Sequence, residues 1–328
     1  MMKAVIRYLY RLFLKPFKLS LQCRKAFFFE LEKFSSGKKL FTKIKNEHDC
    51  VFVLPYTSLG DAYIVSLFLS ENSFCKYDYV LCVASEKCVF IAQSLGIKNI
   101  ECISLEELDS LKKYILVTGE DESKRILHFH YYRTSLMDKI INRYGFNFLQ
   151  CYRNFVFKSD IREPSREIDI FSAKKTSFGD GSVIIAPYSN SLKTLPLSFW
   201  TALVARLKKV GFCDIFTNVS VSSEVPISGT EPCHLALNDI CQVMNGISLF
   251  FSIRSGLCDF VSRTKCKKYI FYPKLDCMFE SKSFYTLSQL PRARNFYEYE
   301  IGMDEFCYEE NLDEIFRSLL SSGENVCM

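Results

Sequence analysis

The sequence has 328 residues, of which 48% are hydrophobic and 24% charged, and a formal net charge of +5. These values are typical of a globular protein and exclude disorder as the main state, and the length allows two domains of ordinary size. The mild positive charge suits anionic partners such as phosphates or a lipid surface. It is far from the charge of a dedicated nucleic-acid-binding protein, and no base-reading motif is present, so we expect no nucleic-acid partner.

The 15 cysteines are scattered through apolar runs, and no two have CxxC spacing. This pattern favours reduced core residues in a cytosolic protein over a disulfide framework. Only four histidines are present, and His128 and His130 have no cysteine at ligand spacing. We therefore predict no metal site, and nothing else in the sequence indicates a bound cofactor.

The first 28 residues alternate basic and apolar side chains. Their charges keep every apolar run below the roughly 20 residues that span a bilayer and interrupt any signal-peptide core. Two interpretations stay open. A basic amphipathic helix would lie on the anionic inner face of the membrane, whereas a packing helix would cover the protein's own body. We assign residues 1–45 to this segment and expect a cytoplasmic protein, peripheral on the membrane in the first interpretation.

From residue 46 the pattern alternates short apolar runs with amphipathic ones, which is typical of strands and helices in turn. The predicted strands are 51–54, 79–84, 99–103 and 114–117, and the predicted helices are 60–70 and 85–95. This β-α order predicts a parallel, doubly wound sheet. A polar, irregular stretch over 158–180 indicates a boundary near residue 170, so the first domain is 46–170.

The second domain, 171–328, repeats this logic. Its predicted strands are 183–187, 213–219, 247–252 and 268–272, and its predicted helices are 197–209, 234–245, 256–263 and, after a stretch of weak periodicity, 306–320. Two Rossmann-like domains in tandem would enclose a cleft between their facing carboxyl edges, where ligands bind in open α/β sheets.

The loop over 55–63, directly after the first strand, holds the first candidate for chemistry. Gly60 allows close backbone approach, and Asp61 stands in the first turn of the next helix. A carboxylate in that position can act as a general base on a bound hydroxyl. The alternative is a first-turn aspartate that only complements the helix dipole.

Two further strand-to-helix loops carry cations. Lys193 precedes the helix at 197–209, whose N-terminus favours an anion; the alternative is an ordinary exposed lysine. In the loop after the strand at 247–252, Arg254, Ser255 and Gly256 bring a guanidinium, a hydroxyl and N–H groups to one helix start, a suitable cradle for a diphosphate. Here the alternative is a structural ion pair between Arg254 and Asp259.

The three loops together resemble the heptosyltransferase-type glycosyltransferases (family 9-like) of bacterial surface-polysaccharide assembly. The resemblance covers roughly residues 50–273. It depends on three motifs in the right order: Leu54-Pro55 followed by Ser58-Leu59-Gly60-Asp61, Ala186-Pro187 followed by Ser191-Leu192-Lys193-Thr194-Leu195-Pro196, and Ser255-Gly256-Leu257.

The resemblance implies an α/β, GT-B fold in which the N-terminal domain binds the acceptor and the C-terminal domain binds a nucleotide-sugar donor. It implies a catalytic base at Asp61, donor-phosphate contacts at Lys193, Ser255 and Gly256, beside which we place Arg254, and an inverting transfer that needs no metal. From the same loops we predict residues that position acceptor or donor: Ser58, Gly60, Tyr63, Ser189, Asn190, Ser191 and Asp259.

Departures from the family pattern leave the sugar unassigned. Arg254 replaces an acid, Asp259 replaces a histidine, and Pro187-Tyr188-Ser189-Asn190 stands where a Pro-Gly-Ala type turn is common. We expect a glycosyltransferase acting on a glycan or glycolipid in lipopolysaccharide, O-antigen or capsule synthesis. A nucleotide-sugar epimerase and a non-catalytic sugar-nucleotide-binding or scaffold relative stay open, whereas the lack of GxGxxG after any strand disfavours a dehydrogenase.

Overall fold

The computed structural model describes residues 21–71, 78–131, 146–158, 178–179, 181–190, 192–273, 286–290, 293–302 and 305–321. The chain divides into two compact units. The first comprises 1–55, 77–84 and 101–127, and the second comprises 56–76, 85–100 and 128–328. The domain boundaries expected from the sequence, at residues 45 and 170, stay a prediction.

The first unit is built on a four-stranded sheet in the order β3-β2-β1-β4. The strands are β1 (Cys50–Val53), β2 (Tyr79–Val83), β3 (Ile100–Cys102) and β4 (Lys124–Ile126). The register of β1 with both β2 and β4 is parallel. All four residues of β1 are buried, as expected for a central strand of a parallel sheet.

Two helices of the first unit, α1 (Leu21–Lys45) and α4 (Leu105–Thr118), pack closely against each other. A Cβ at Gly37 would lie 1.9 Å from the carbonyl oxygen of Ser110, so the crossing requires glycine. The ring of Tyr114 packs with its centroid 5.4 Å from Phe34 and 5.2 Å from Phe41. Within the described residues no helix is both long enough and apolar enough to cross a bilayer.

The predicted strand at 114–117 is wrong, because this stretch is the last turn of α4. Its aromatic and β-branched residues favour a strand locally. A capping box at Ser104 and Glu107 starts a helix, however, and buried Leu108, Leu111 and Ile115 continue it at helical spacing. The strand that pairs with β1 is instead β4, which the polar run Lys124-Arg125 hides from a hydrophobicity pattern.

The second unit contains a six-stranded sheet in the order β10-β9-β8-β5-β6-β7, in which every neighbouring pair is parallel. Its strands are β5 (Val183–Ala186), β6 (Ile215–Asn218), β7 (Glu231–Cys233), β8 (Leu249–Ile253), β9 (Lys267–Pro273) and β10 (Phe296–Ile301). The chain proceeds outward from β5 in one direction and from β8 in the other. The gap between these two strands is therefore the topological switch point, where α/β sheets bind ligands.

The helices of the second unit include two that follow strands of the first unit in sequence. They are α2 (Leu59–Glu71), α3 (Glu86–Ser94), α5 (Phe148–Cys151), α6 (Leu197–Lys209), α7 (Leu237–Gly246), α8 (Gly256–Val261) and α9 (Glu305–Ser321), with a π-helix at Tyr152–Phe157 and 3₁₀ turns at Phe129–Tyr131 and Leu287–Gln289. The ring of Phe199 in α6 lies 5.3 Å from Phe271 in β9 and 5.8 Å from Tyr308 in α9. These contacts join α6 and α9 over one face of the sheet.

The other predicted elements are confirmed, with ends that differ by a few residues, and so is the α/β class with parallel sheets. Strands β7 and β10, the π-helix and α5 were not predicted. Residues 1–20 lie outside the described residues, as do 159–177 in the predicted boundary. From Leu21 onward the N-terminal segment is helical, as part of α1.

Candidate functional site

A cavity of about 680 Å³ opens at the carboxyl edge of the six-stranded sheet, and all its lining residues belong to the second unit. Four parts of its wall are contributed by residues within 188–190, 218–224, 234–240 and 254–259, the stretches at the ends of β5, β6, β7 and β8. Residues 56–61, Ile64 and residues 128–130 complete the wall, together with Lys87, Phe148 and Tyr152. Both the size and the place at the switch point are those of a site for a small ligand.

The starts of α2 and α8 meet at a pair of glycines in the cavity wall. A Cβ on Gly256 would lie 2.4 Å from the backbone nitrogen of Gly60 and 3.0 Å from the backbone carbon of Leu59. A Cβ on Gly60 would lie 3.2 Å from Oδ2 of Asp259. The sequence analysis expected close backbone approach at Gly60, and the structure shows that its neighbour is another helix start.

We expect Gly256→Ala to destabilise the second unit by about 1–3 kcal/mol, because the added methyl group clashes with backbone that has to shift as a whole. Urea unfolding measures the effect. Gly179→Ala is the matched control, since a Cβ there meets no atom within 4 Å and the backbone is not in the left-handed region. Equal stability of the two variants would show that the starts of α2 and α8 can move apart without a loss in the free energy of unfolding.

Asp61, in the first turn of α2, is held by three side chains from three parts of the chain. The hydroxyl of Tyr152 donates to Oδ1 at 2.6 Å, and Ser58 donates to Oδ2. Nε2 of His128 lies 3.5 Å from Oδ1. The Asp61 side chain keeps 25% of its surface exposed and faces the cavity. Asp61 therefore has more side-chain partners than a first-turn aspartate that only complements the helix dipole.

The environment of Asp61 favours the charged carboxylate. Burial raises its pKa, but the Nε2–H of His128 and the hydroxyl groups of Ser58 and Tyr152 lower it by more, so the pKa lies below its ordinary value. Asp61 is consequently ionised at neutral pH and able to accept a proton.

His128 is 3% exposed, and its Nδ1 accepts a hydrogen bond from the backbone N–H of His130 at 3.3 Å. In the neutral ring the proton then lies on Nε2, the nitrogen that faces Asp61. The ring packs between Tyr56, at 4.4 Å, and Phe129, at 4.5 Å between centroids. Sequence analysis weighed this histidine only as a zinc ligand. Its place just after β4 would have drawn attention to it, but that strand was not predicted.

Arg254 and Asp259 form an ion pair in the cavity wall, and each side chain is only 2% exposed. Nη2 of Arg254 donates to Oδ1 of Asp259 at 2.7 Å and Nη1 donates to Oδ2 at 3.2 Å. Nη1 also donates to the carbonyl oxygen of Ser255. This geometry matches the structural alternative of the sequence analysis. The carboxylate neutralises the guanidinium, which limits its attraction for a diphosphate.

Some of the remaining predicted site residues line the cavity and others do not. Those that line the cavity are Ser58, Gly60, Ser189, Asn190, Ser255 and Gly256. Lys193 is exposed and does not line it, so the structure does not bring Lys193 and Arg254 together on one wall. Tyr63 is 1% exposed, lies near Ser262 and Arg263 and does not line the cavity, so its positioning role stays a prediction. Ser191 lies outside the described residues.

Each unit contains a parallel α/β sheet, and a ligand-sized cavity lies at the carboxyl edge of the larger sheet. Among solved structures, the ADP-heptose LPS heptosyltransferase II of E. coli superposes with a TM-score of 0.54 at 11% identity, covering 84% of this chain and 100% of that one. Heptosyltransferase WaaC of E. coli, solved with ADP, superposes with a TM-score of 0.52 at 12% identity, covering 81% and 99%.

No family model matches the chain, and a search of curated proteins found no match either. At identities this low the structural likeness establishes the fold. The chain has the GT-B fold of the heptosyltransferase structures, which confirms the fold class that the three motifs implied.

Proposed function

We propose that this protein is a glycosyltransferase that moves a sugar from a nucleoside-diphosphate donor to a hydroxyl of a glycan or glycolipid. The observation that carries the proposal is the carboxylate of Asp61, held by Tyr152 and Ser58 on the wall of a cavity to which loops after four parallel strands also contribute. The heptosyltransferase fold supports the same reaction class.

In the proposed reaction the acceptor oxygen attacks the anomeric carbon of the donor. The new glycosidic C–O bond forms as the bond between that carbon and the phosphate oxygen breaks, and the nucleoside diphosphate leaves. Asp61 takes the acceptor's proton. A single displacement inverts the anomeric centre. The backbone N–H groups of Ser255 and Gly256 and the hydroxyl of Ser255 stabilise the leaving diphosphate without a metal.

Acceptor-dependent release of nucleoside diphosphate tests the proposal. Purified full-length protein is incubated with a panel of nucleotide sugars, with and without lipopolysaccharide-core, O-antigen or capsule-type acceptors, and with Asp61→Asn as the inactive control. We expect release from one donor class that requires an acceptor and a product of inverted configuration. Tight donor binding without release under any acceptor would contradict transfer.

A non-catalytic sugar-nucleotide-binding relative is the second candidate. It is favoured by the Arg254–Asp259 pair, because a guanidinium neutralised by its own carboxylate stabilises a departing diphosphate less than a free one. The screen above separates the two, since a binding protein yields affinity without turnover. The predicted phosphate contact of Lys193 stays a prediction, which calorimetry of Lys193→Ala with a nucleoside diphosphate tests.

We further propose that the protein acts in the cytoplasm in surface-polysaccharide synthesis, with residues 1–28 on the inner face of the membrane. Replacing four basic residues of this segment with glutamine should weaken binding to anionic vesicles by about three orders of magnitude, since each contributes about 1 kcal/mol near the surface. The residues are Lys3, Arg7, Arg11 and Lys15.

Vesicle sedimentation of the full-length protein, at low and high salt, measures this effect. The control replaces four lysines that are exposed elsewhere, namely Lys98, Lys208, Lys209 and Lys265. Equal loss in both variants would indicate a general charge effect, and no loss in either would assign the segment to internal packing.

A further inference from the structure

Tyr152 lies in a π-helix, an uncommon backbone conformation. It is the first residue of the π-helix Tyr152–Phe157, and π-helices are rare and frequently lie at functional sites. The last residue of that helix, Phe157, stacks on Phe68 of α2 with centroids 4.4 Å apart and an interplanar angle of 6°. The π-helix therefore packs against α2, the helix that has Asp61 in its first turn.

The aromatic ring of Tyr152 is fixed by its neighbours. It is 1% exposed and lies perpendicular to the rings of Phe129, at 5.2 Å, and His128, at 5.6 Å. A buried tyrosine hydroxyl usually has a hydrogen-bond partner, and the partner here is Oδ1 of Asp61 at 2.6 Å. Neither the ring nor the hydroxyl can turn away without unpacking.

We infer that Tyr152 and His128 are positioning residues that hold Oδ1 of Asp61, so that Oδ2 is the oxygen that receives the acceptor's proton. A carboxylate oxygen has about two lone-pair sites. At Oδ1 the hydroxyl of Tyr152 occupies one of them, and Nε2 of His128 faces the other. Oδ2 accepts from Ser58, which leaves it one site for an incoming hydroxyl. The inference depends on the proposed function in one respect, the proton transfer itself.

Other ionisable groups around the cavity act on Asp61 less directly. One of them is the Asp259 carboxylate, whose Oδ2 would lie 3.2 Å from a Cβ on the neighbouring Gly60, but Arg254 neutralises this carboxylate. Besides Asp61 and His128, the acidic, basic and histidine side chains that line the cavity are Lys87, His130, Glu224, His234, Arg254 and Asp259, and the tyrosines are Tyr56, Tyr152 and Tyr188.

The test is a carboxyl titration by NMR of the full-length protein without substrate, with Asp61→Asn to assign the signal. Tyr152→Phe keeps the ring and removes the donor that favours the charged carboxylate, so the Asp61 midpoint should move up by about one pH unit. His128→Leu is the second variant, with an upward shift expected for the same reason.

Tyr188→Phe is the matched control. Tyr188 also lines the cavity, but its hydroxyl bonds to the backbone of Val225 and not to Asp61. An unchanged midpoint in Tyr152→Phe, or an equal shift in the control, would overturn the inference.

In the transferase assay Tyr152→Phe should lower kcat by about tenfold and leave the KM for the donor unchanged, with the acid limb of the rate profile moved to higher pH. Unchanged kcat would overturn the positioning role. An inactive wild-type protein would instead count against the proposed function, and the NMR comparison would still decide whether Tyr152 and His128 hold the carboxylate.

Discussion

Asp61→Asn is expected to reduce sugar transfer by about 10²–10⁴-fold, because an amide keeps the shape of the carboxylate but cannot take the acceptor's proton. Donor affinity should stay near that of the wild type, since the amide oxygen can still accept the hydrogen bond from Tyr152. Steady-state kinetics and donor calorimetry on the same preparation measure both quantities.

Asp239→Asn provides the matched control for this substitution. Asp239 also stands in the first turn of a helix of the second unit, α7, but it is exposed and does not line the cavity. We expect its turnover to equal that of the wild type. Turnover of Asp61→Asn within a few-fold of the wild type would remove Asp61 from the chemistry and leave it as a structural carboxylate.

Arg254→Met should lower the free energy of unfolding of the second unit by about 3–5 kcal/mol, because it leaves the carboxylate of Asp259 buried without its partner. The single tryptophan, Trp200, is 1% exposed in the same unit, so its fluorescence during urea unfolding reports the relevant transition. The double variant Arg254→Met with Asp259→Leu should recover most of the loss, since it removes both charges.

Arg206→Met is the surface counterpart. Arg206 pairs with Glu309 at 2.6 Å and with Asp313, and its side chain is 29% exposed. Solvent screens such pairs, so its loss should cost about 0–1 kcal/mol. If Arg254→Met were no more destabilising than Arg206→Met, the buried pair would be readily hydrated. The guanidinium would then be available to a diphosphate, as the sequence-based hypothesis requires.

Local patterns were sufficient for most of the secondary structure. The helix α6 begins and ends where its 3.6-residue periodicity predicts, and buried runs such as Val183–Ala186 are strands. Patterns failed where local preference and context disagree. The residues at 114–117 favour a strand, but the helix capped at Ser104 continues through them. Strand β4 is mostly polar and forms because β1 offers it a partner.

The sequence by itself determined the fold class, through its alternation of strands and helices. It also showed polar loops at strand ends, two of which place Asp61 and residues 254–256 at ligand-binding edges. Those properties depend on residues close together in the chain. Only the tertiary structure decided which neighbours the site residues have. Tyr152 reaches Asp61 across 91 positions, and Gly60 meets Gly256 through helix packing.

The choice between the two interpretations of Arg254 shows the same limit. Both a phosphate contact and a pair with Asp259 satisfy the spacing in sequence, because a guanidinium binds either anion with similar geometry. Burial separates them in the unliganded protein, since a charge removed from water requires a partner, and the carboxylate of Asp259 lies within hydrogen-bond reach of Arg254. How deeply a residue is buried depends on how the whole unit packs, which no local pattern encodes.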